Sequence, residues 1–251
     1  MNVLAVSLLL SATAAAAQAP AFMLAVDISS LGSLDCDSAC PPFSWDATSP
    51  TSDALAQLKR GGVNTVRIRL WNAPTSAMAY SNLTGVLRLA RRVAAAGMGV
   101  WLDPHLSDTW ADPSHQTKPA AWRALNATQL AAAVYTFMHD AVAALVAQGT
   151  PPVLVQVGNE IDNGALWNEA GQPCEQGGRV ESPCQSNWPV FASLIAAGQK
   201  AVRAAAPSAL VGIQSYKGSR LITTGTEEIL AFFANLTAHG EGKERGEGHS
   251  E

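Results

Sequence analysis

The chain has 251 residues, of which 48% are hydrophobic and 14% are charged, and its formal net charge is −4. This length and apolar content are sufficient for a single domain with a substantial buried core. Because no run of Lys or Arg occurs, the sequence lacks the basic footprint of a protein that binds nucleic acid or an anionic membrane. An uncharged substrate fits this composition better than a polyanion.

The first 17 residues have the layout of a secretory signal peptide. An apolar stretch over residues 3–10 is followed by small residues, and we expect cleavage after Ala17. The stretch lacks a preceding Lys or Arg, which leaves a membrane anchor or an N-terminal core segment as alternatives. It is too short to span a bilayer, so we expect a secreted, extracellular protein with no membrane partner.

The cysteines and three Asn-x-Thr tripeptides indicate the same compartment. All four cysteines lie in loops rich in Gly, Pro and Ser, as disulfides of secreted proteins do, and a zinc site is the weaker alternative. Three pairings are possible, and local pairing of Cys36 with Cys40 and of Cys174 with Cys184 is the first hypothesis. The predicted glycosylation acceptors are Asn82, Asn126 and Asn235.

In chain order, short apolar stretches alternate with longer Ala- and Leu-rich stretches. The predicted strands are residues 22–28, 65–70, 99–102, 153–157 and 209–213, and the predicted helices are residues 52–61, 83–98, 126–149 and 188–207. This alternation predicts an α/β fold, either a (β/α)8 TIM barrel or a doubly wound sheet. No Gly-x-Gly-x-x-Gly follows the first strand, which disfavours the nucleotide-binding version.

Polar side chains follow the strands at the end where a barrel builds its active site. They are Asp27 after the first strand, Arg67, Arg69 and Asn72 in and after the second, Asp103, His105 and Asp108 at the third, and Asn159 and Glu160 after the fourth. Carboxylates, amides and nearby tryptophans suit a sugar, because glycosidic cleavage needs carboxyl groups and indole rings stack on pyranose faces. Glu160 is the candidate acid, and Asn159 the candidate partner of a sugar hydroxyl.

Less specific interpretations stand beside these. Arg67 could hold a carboxylate ionised in the cleft or belong to a buried structural ion pair. His105 alone would fit a core histidine with satisfied nitrogens. A metal site at Asp103, His105 and Asp108 is disfavoured because the first strand has no His-x-His, so we expect no metal and no cofactor.

Three segments, GVNTVRIRLWNAP, WLDPHLSDTWADPSHQTKPAAW and VQVGNEIDNGALW, in this order and spacing resemble the endo-β-1,4-galactanases of glycoside hydrolase family 53. The resemblance extends over about residues 22–240 and implies a (β/α)8 barrel, a retaining mechanism and Glu160 as acid/base. It also implies a substrate cleft for β-1,4-galactan or arabinogalactan, lined by Asp27, Arg69, Asn72, His105, Asp108, Trp110, Asp112, Asn159 and Trp167.

The chain departs from this family in two ways. Pro104 and Leu106 replace aromatic residues of the family pattern, so the contact of an aromatic residue at 106 is in doubt. The family nucleophile is a Glu ending strand seven, and we recognise only about five βα units before a polar tail over residues 241–251. We therefore expect an incomplete barrel over residues 18–240, without its nucleophile, from a truncated or misassembled version of a longer enzyme.

Three functions follow as hypotheses. The first is a secreted endo-β-1,4-galactanase, inactive if the nucleophile is missing. The second is a related barrel glycosidase that acts on another β-glycan, and the third is a protein that binds β-glycan without cutting it. For a complete barrel we expect a monomer.

Overall fold

The computed structural model describes residues 22–34, 53–216 and 225–240. The predicted signal peptide, the tail over residues 241–251, Cys36, Cys40 and the predicted N-cap Ser52 lie outside these residues. Everything below refers to the described residues.

Five strands form one parallel sheet, in the order β1-β2-β3-β4-β7. They are β1 Ala25–Asp27, β2 Thr65–Leu70, β3 Gly99–Pro104, β4 Leu154–Gln156 and β7 Leu210–Gly212. The five predicted strands are therefore present, with β1, β4 and β7 shorter and β3 longer than expected. Helices connect the parallel strands, so this is the architecture of an incomplete (β/α)8 barrel.

The alternation of β2 decides which side chains reach the functional face. Val66, Ile68 and Leu70 are fully buried in the hydrophobic core, whereas Arg67 and Arg69 point to the other face of the sheet. In the strand register, Arg67 lies beside Asp27 of β1 and Arg69 lies beside Asp103 of β3. The apolar side chains of β2 thus stabilise the core, and its two arginines lie together on the opposite face of the sheet.

The described residues form six α-helices. They are α1 Leu31–Leu34, α2 Ala54–Arg60, α3 Leu83–Ala95, α4 Ala127–Ala147, α5 Trp188–Ala205 and α6 Gly225–Gly240. Four of them, α2 to α5, begin and end close to the predicted positions. Short 3-10 helices cover Ser76–Ser81, Ala120–Trp122, Ile161–Asn163 and Cys174–Gln176. Asp53, one residue after the predicted N-cap, caps α2 by accepting a hydrogen bond from the Leu55 amide.

Two predicted glycosylation acceptors are helix N-caps. The Asn82 side chain accepts from the Gly85 amide at α3, and Asn126 forms a capping box with Gln129 at α4. A side-chain oxygen that satisfies an amide of the first helical turn stabilises the helix start by about 1 kcal/mol. These two asparagines therefore have a structural role whether or not they carry a glycan.

Helices α4, α5 and α6 pack side by side over the sheet. Helix α4 is long and apolar enough, by length and composition, to cross a membrane, but its inner side chains are part of the core. Those side chains are Leu130, Val134, Met138, Ala141, Val142 and Leu145. Phe232 of α6 packs against Trp188 and Phe191 of α5, with ring centroids 5.7 and 6.1 Å away.

A small hairpin lies between β4 and α5. Its strands, β5 Gly164–Ala165 and β6 Gly178–Arg179, are antiparallel, and the disulfide Cys174–Cys184 closes the loop beside them. This confirms one half of the local pairing hypothesis. Buried Lys118 donates hydrogen bonds to the carbonyls of Gln176 and Arg123, at 2.8 and 3.3 Å, so it ties this loop to the one after β3.

Candidate active site

Arg67 is the centre of a polar cluster at the carboxyl ends of the strands. Its guanidinium lies 2.7 Å from an oxygen of Asp27 and 2.7 Å from an oxygen of Asp103. It also donates to the side-chain oxygens of Asn159 and Gln214, at 2.7 and 3.0 Å. Because the Arg67 side chain is 13% exposed and Asp103 is fully buried, these are charged hydrogen bonds in a region with little water.

Asp27 is held in its ionised form. Burial alone would raise the pKa of this carboxyl, but two hydrogen bonds from Ser29 and the positive charges of Arg69 and Arg67 lower it overall. The Arg69 Nε atom lies 3.6 Å from Asp27, and its guanidinium lies over the Trp110 ring, 5.0 Å from the centroid. Asp27 therefore anchors both arginines rather than offering a free proton donor.

His105 is buried behind the open face of the site, with 1% of its surface exposed. Its Nδ1 accepts a hydrogen bond from the Ala111 amide at 3.1 Å, so its Nε2 carries the hydrogen that faces Asp103 at 3.0 Å. The imidazole packs edge-on against Trp110, with centroids 5.4 Å apart. Both ring nitrogens are thus used inside the protein, and His105 orients its neighbours.

The turn after β4 places Asn159 and Glu160. Gly158 has φ +77°, and a Cβ there would lie 2.6 Å from Cγ2 of Ile161, so only glycine fits. Glu160 itself has φ 49° and ψ 51°, the left-handed region that is unusual for a glutamate. Buried Asn159 donates from Nδ2 to the Ala111 carbonyl at 2.7 Å and accepts from Arg67.

The Glu160 carboxyl is half-buried and receives no hydrogen bond from the described part of the chain. Burial raises its pKa above the ordinary value, and the negative charges of Asp112 and Asp162 raise it further, against the opposing effects of Arg67 and His105. A partly exposed carboxyl that keeps its proton to a higher pH is suited to general acid catalysis.

Asn72 and Asp108 join two loops. Asp108 accepts hydrogen bonds from the Ala73 and Ala120 amides, at 2.9 and 2.8 Å, and from Asn72 Nδ2 at 3.3 Å. The three candidate metal ligands consequently do not converge, because Asp103 faces Arg67 while Asp108 faces these amides. Within residues 22–34, 53–216 and 225–240, no group of three or more His, Cys, Asp or Glu side chains could hold a metal ion.

Asp112, Trp110 and Trp167 form the rim. Asp112 accepts from the Ser114 amide and pairs with His115 at 2.9 Å; burial would raise the pKa of Asp112, but these contacts lower it. Trp110 is 46% exposed. Trp167 is half-buried, donates its indole hydrogen to the Asn163 carbonyl, and has the Arg179 guanidinium 4.6 Å from its ring centroid. These rings offer apolar surface near Glu160.

Three buried or half-buried glutamines complete the polar cluster around Arg67, and the sequence analysis did not predict them. Gln156 of β4 donates a hydrogen bond to Asp103 at 2.7 Å, and its side-chain oxygen lies 3.4 Å from Arg67. Gln214, which follows β7, accepts hydrogen bonds from Arg67 and Gln156. Gln116 contacts the Asn159–Glu160 turn. A polar residue between Val155 and Val157 in a buried strand was the available signal for Gln156. Gln116 and Gln214 lie in loops, where periodicity carries no information.

Comparisons with known proteins agree with this geometry. The sequence model of Glycosyl hydrolase family 53 matches residues 23–241. A probable arabinogalactan endo-β-1,4-galactanase A of Neosartorya fischeri is 46% identical over 110 residues, which are 44% of this chain and 30% of that protein.

Two solved structures have the same fold. The family 53 catalytic domain of Ignisphaera aggregans has a TM-score of 0.70 and 29% identity, covering 87% of this chain and 56% of that one. A fungal β-1,4-galactanase has a TM-score of 0.68 and 30% identity, covering 86% and 58%. The chain thus spans less than two thirds of the length of each of these relatives.

Proposed function

We propose, because the chain belongs to glycosyl hydrolase family 53, that it acts on β-1,4-galactan as an endo-β-1,4-galactanase. Relatives named as arabinogalactan endo-β-1,4-galactanases and a solved fungal β-1,4-galactanase support this substrate class. The observation that carries the proposal is the raised pKa of the half-buried Glu160 carboxyl, which follows β4 and accepts no hydrogen bond from the residues that the structure describes.

In the proposed reaction, Glu160 donates its proton to the glycosidic oxygen as the bond to the leaving sugar breaks. Asp27, Arg69, Asn72, His105, Asp108 and Asn159 shape the cleft, and Trp110, Asp112 and Trp167 border the bound sugar. A retaining mechanism requires a second carboxyl about 5 Å from the acid to attack the anomeric carbon. The family resemblance assigns that role to a Glu ending the seventh strand of a complete barrel, whereas the parallel sheet of the described residues has five strands, of which β7 is the fifth.

Secretion belongs to the same proposal. The Cys174–Cys184 disulfide is supporting evidence, since disulfides persist in oxidising compartments. The exposed Asn126 and Asn235 would accept glycans in a host that glycosylates, and removal of residues 1–17 would yield the mature chain.

A second candidate is a protein that binds β-glycan without cutting it. The two carboxylates whose charges raise the pKa of Glu160 are engaged by their own surroundings: Asp112 by Ser114 and His115, and Asp162 by Ser215 and the Tyr216 amide. In the described part of the chain, neither is placed as an uncommitted nucleophile. The tryptophans would then bind the sugar, but the glycosidic bond would not be cleaved.

The test is to incubate the 251-residue chain with β-1,4-galactan and measure both reducing ends and affinity. For a form extended to the strand-seven Glu we expect short β-1,4-galacto-oligosaccharides and their loss in Glu160→Gln, with Glu227→Gln on the exposed start of α6 as the matched control. Binding without released ends would favour the second candidate. Wild-type hydrolysis by Glu160→Gln would refute Glu160 as the acid, and a panel including mannan tests the choice of glycan.

A further inference from the structure

Gln116 holds the turn that carries Glu160. Its side chain is buried, with 2% of the residue exposed. Its Nε2 atom lies 2.8 Å from the Asn159 carbonyl, 3.3 Å from the Glu160 carbonyl and 3.0 Å from the Asp112 carbonyl. One amide group therefore joins the loop after β3 to the turn after β4.

The main chain of the same residue fixes the aromatic rim. The Gln116 carbonyl accepts a hydrogen bond from the Trp167 amide at 2.7 Å, and Thr117 forms a parallel bridge with Trp167. Gln116 is thus bonded through its side chain to the Glu160 turn and through its backbone to Trp167. Gln116 therefore links the backbone of the Glu160 turn to the backbone of Trp167.

The three carbonyls need a hydrogen-bond donor at this point. Methionine has nearly the length and volume of glutamine but donates nothing. It would leave the Asn159 and Glu160 carbonyls without this donor, whereas the Asp112 carbonyl would still accept from the His115 amide. Since Glu160 has a left-handed backbone conformation, loss of the donor to its carbonyl and to that of Asn159 removes a constraint on an unusual geometry.

We propose that Gln116 is a positioning residue, which sets the orientation of the Glu160 carboxyl and its placement relative to Trp167. The role in catalysis rests on the proposed function, but the positioning itself does not. The groups whose charges act on Glu160 are Asp112, Asp162, Arg67 and His105. A rotated or more exposed carboxyl would experience these charges differently, which makes its titration a direct measure of position.

The experiment compares Gln116→Met with Gln148→Met in the 251-residue chain. Gln148 is a suitable control because its side chain also donates to a distant main-chain carbonyl, that of Leu87 at 3.1 Å, but at the end of α4. Glutamate carboxyl carbons are labelled with ¹³C, and Glu160→Gln identifies the Glu160 resonance. Binding of β-1,4-galactotetraose is followed by tryptophan fluorescence.

We expect Gln116→Met to change the acid dissociation constant of Glu160 by about threefold or more, towards stronger acidity, and to weaken galactotetraose binding by about tenfold. Gln148→Met should lower only the unfolding temperature. If Gln116→Met lowers the unfolding temperature but leaves the titration unchanged, Gln116 is merely structural and the proposal is wrong.

Two further outcomes separate this proposal from the galactanase assignment. A changed titration in a protein that does not bind galactotetraose supports positioning and contradicts the substrate. Should Gln116→Met not fold, Gln116→Asn carries the same test, because its side chain is one methylene shorter and withdraws the donor from the three carbonyls. A Glu160 titration in Gln116→Asn equal to that of the wild type would also overturn the proposal.

Discussion

Glu160 makes the stability of the protein depend on pH in a defined direction. Burial and two nearby carboxylates raise its pKa above the ordinary value of 4.5, so the folded state holds this proton more tightly than the unfolded state does. Its contribution to stability is therefore full below pH 4.5 and is lost as pH rises through the folded pKa. Glu160→Gln should be more stable than the wild type at neutral pH, and this difference should shrink at low pH.

Chemical unfolding of wild type and Glu160→Gln across this pH range measures the effect. Glu227→Gln, which removes an exposed glutamate from α6, controls for the change in total charge. A stability difference between wild type and Glu160→Gln that does not vary with pH would contradict the raised pKa.

Arg67 should be the most sensitive side chain of the polar cluster. Arg67→Met leaves Asp103 fully buried without its arginine, and removing one partner of a buried ion pair costs about 3–5 kcal/mol. The exposed pair of Arg123 with Glu169 is the control, and Arg123→Met should cost less than about 1 kcal/mol. Urea unfolding measures both, and equal losses would show that the Arg67 cluster does not stabilise the fold.

At the scale of elements, the contact of α5 with the sheet depends on Gly198. A Cβ at this position would lie 2.6 Å from Cγ1 of Val157 and 3.6 Å from Cγ1 of Val134. Alanine favours a helix over glycine by about 1 kcal/mol, but overpacking a core costs about 1–3 kcal/mol. We expect Gly198→Ala to lower the free energy of unfolding by about 1 kcal/mol, and the neighbouring exposed Gln199→Ala to change it by less than about 0.5 kcal/mol. A Gly198→Ala variant more stable than the wild type would mean that α5 can move away.

The five strands of the sheet and helices α2 to α5 were predictable because they carry local signals in the sequence. Helix α4 begins at an Asn126 capping box and has apolar residues at helical spacing, and β2 alternates apolar and polar side chains. The β5–β6 hairpin was not predicted, since its strands have two residues each and their pairing depends on contacts across the loop closed by Cys174–Cys184.

At the scale of the molecule, the sheet has an open side. In the part of the chain that the structure describes, β7 pairs with β4 and with no other strand, and its Leu210 is 48% exposed. An apolar strand edge is a template for pairing with another chain. We expect the 251-residue chain to self-associate with rising concentration, and Leu210→Lys to reduce this more than Leu230→Lys on α6, as measured by sedimentation. Equal effects would indicate that general hydrophobicity, and not the strand edge, drives association.

The sequence by itself determined the family, the parallel α/β architecture and the residues that end each strand. Those properties depend on periodicity, turn residues and long motifs, which are local. The family match confirms the family, and the two solved structures confirm the barrel architecture. The Cys174–Cys184 pairing could be predicted from the sequence for the same reason, because the two positions are separated by only 10 residues.

Only the tertiary structure decided which of these side chains work together. Arg67 bonds to Asn159 and Gln214, which are 92 and 147 residues away, and those partners follow from strand register and not from neighbouring residues. The burial of His105, the raised pKa of Glu160 and the contacts of Gln116 likewise arise where loops from different strands meet. A sequence records which groups are available, but distance and dielectric environment, which set hydrogen bonds and acidity, exist only after the chain has folded.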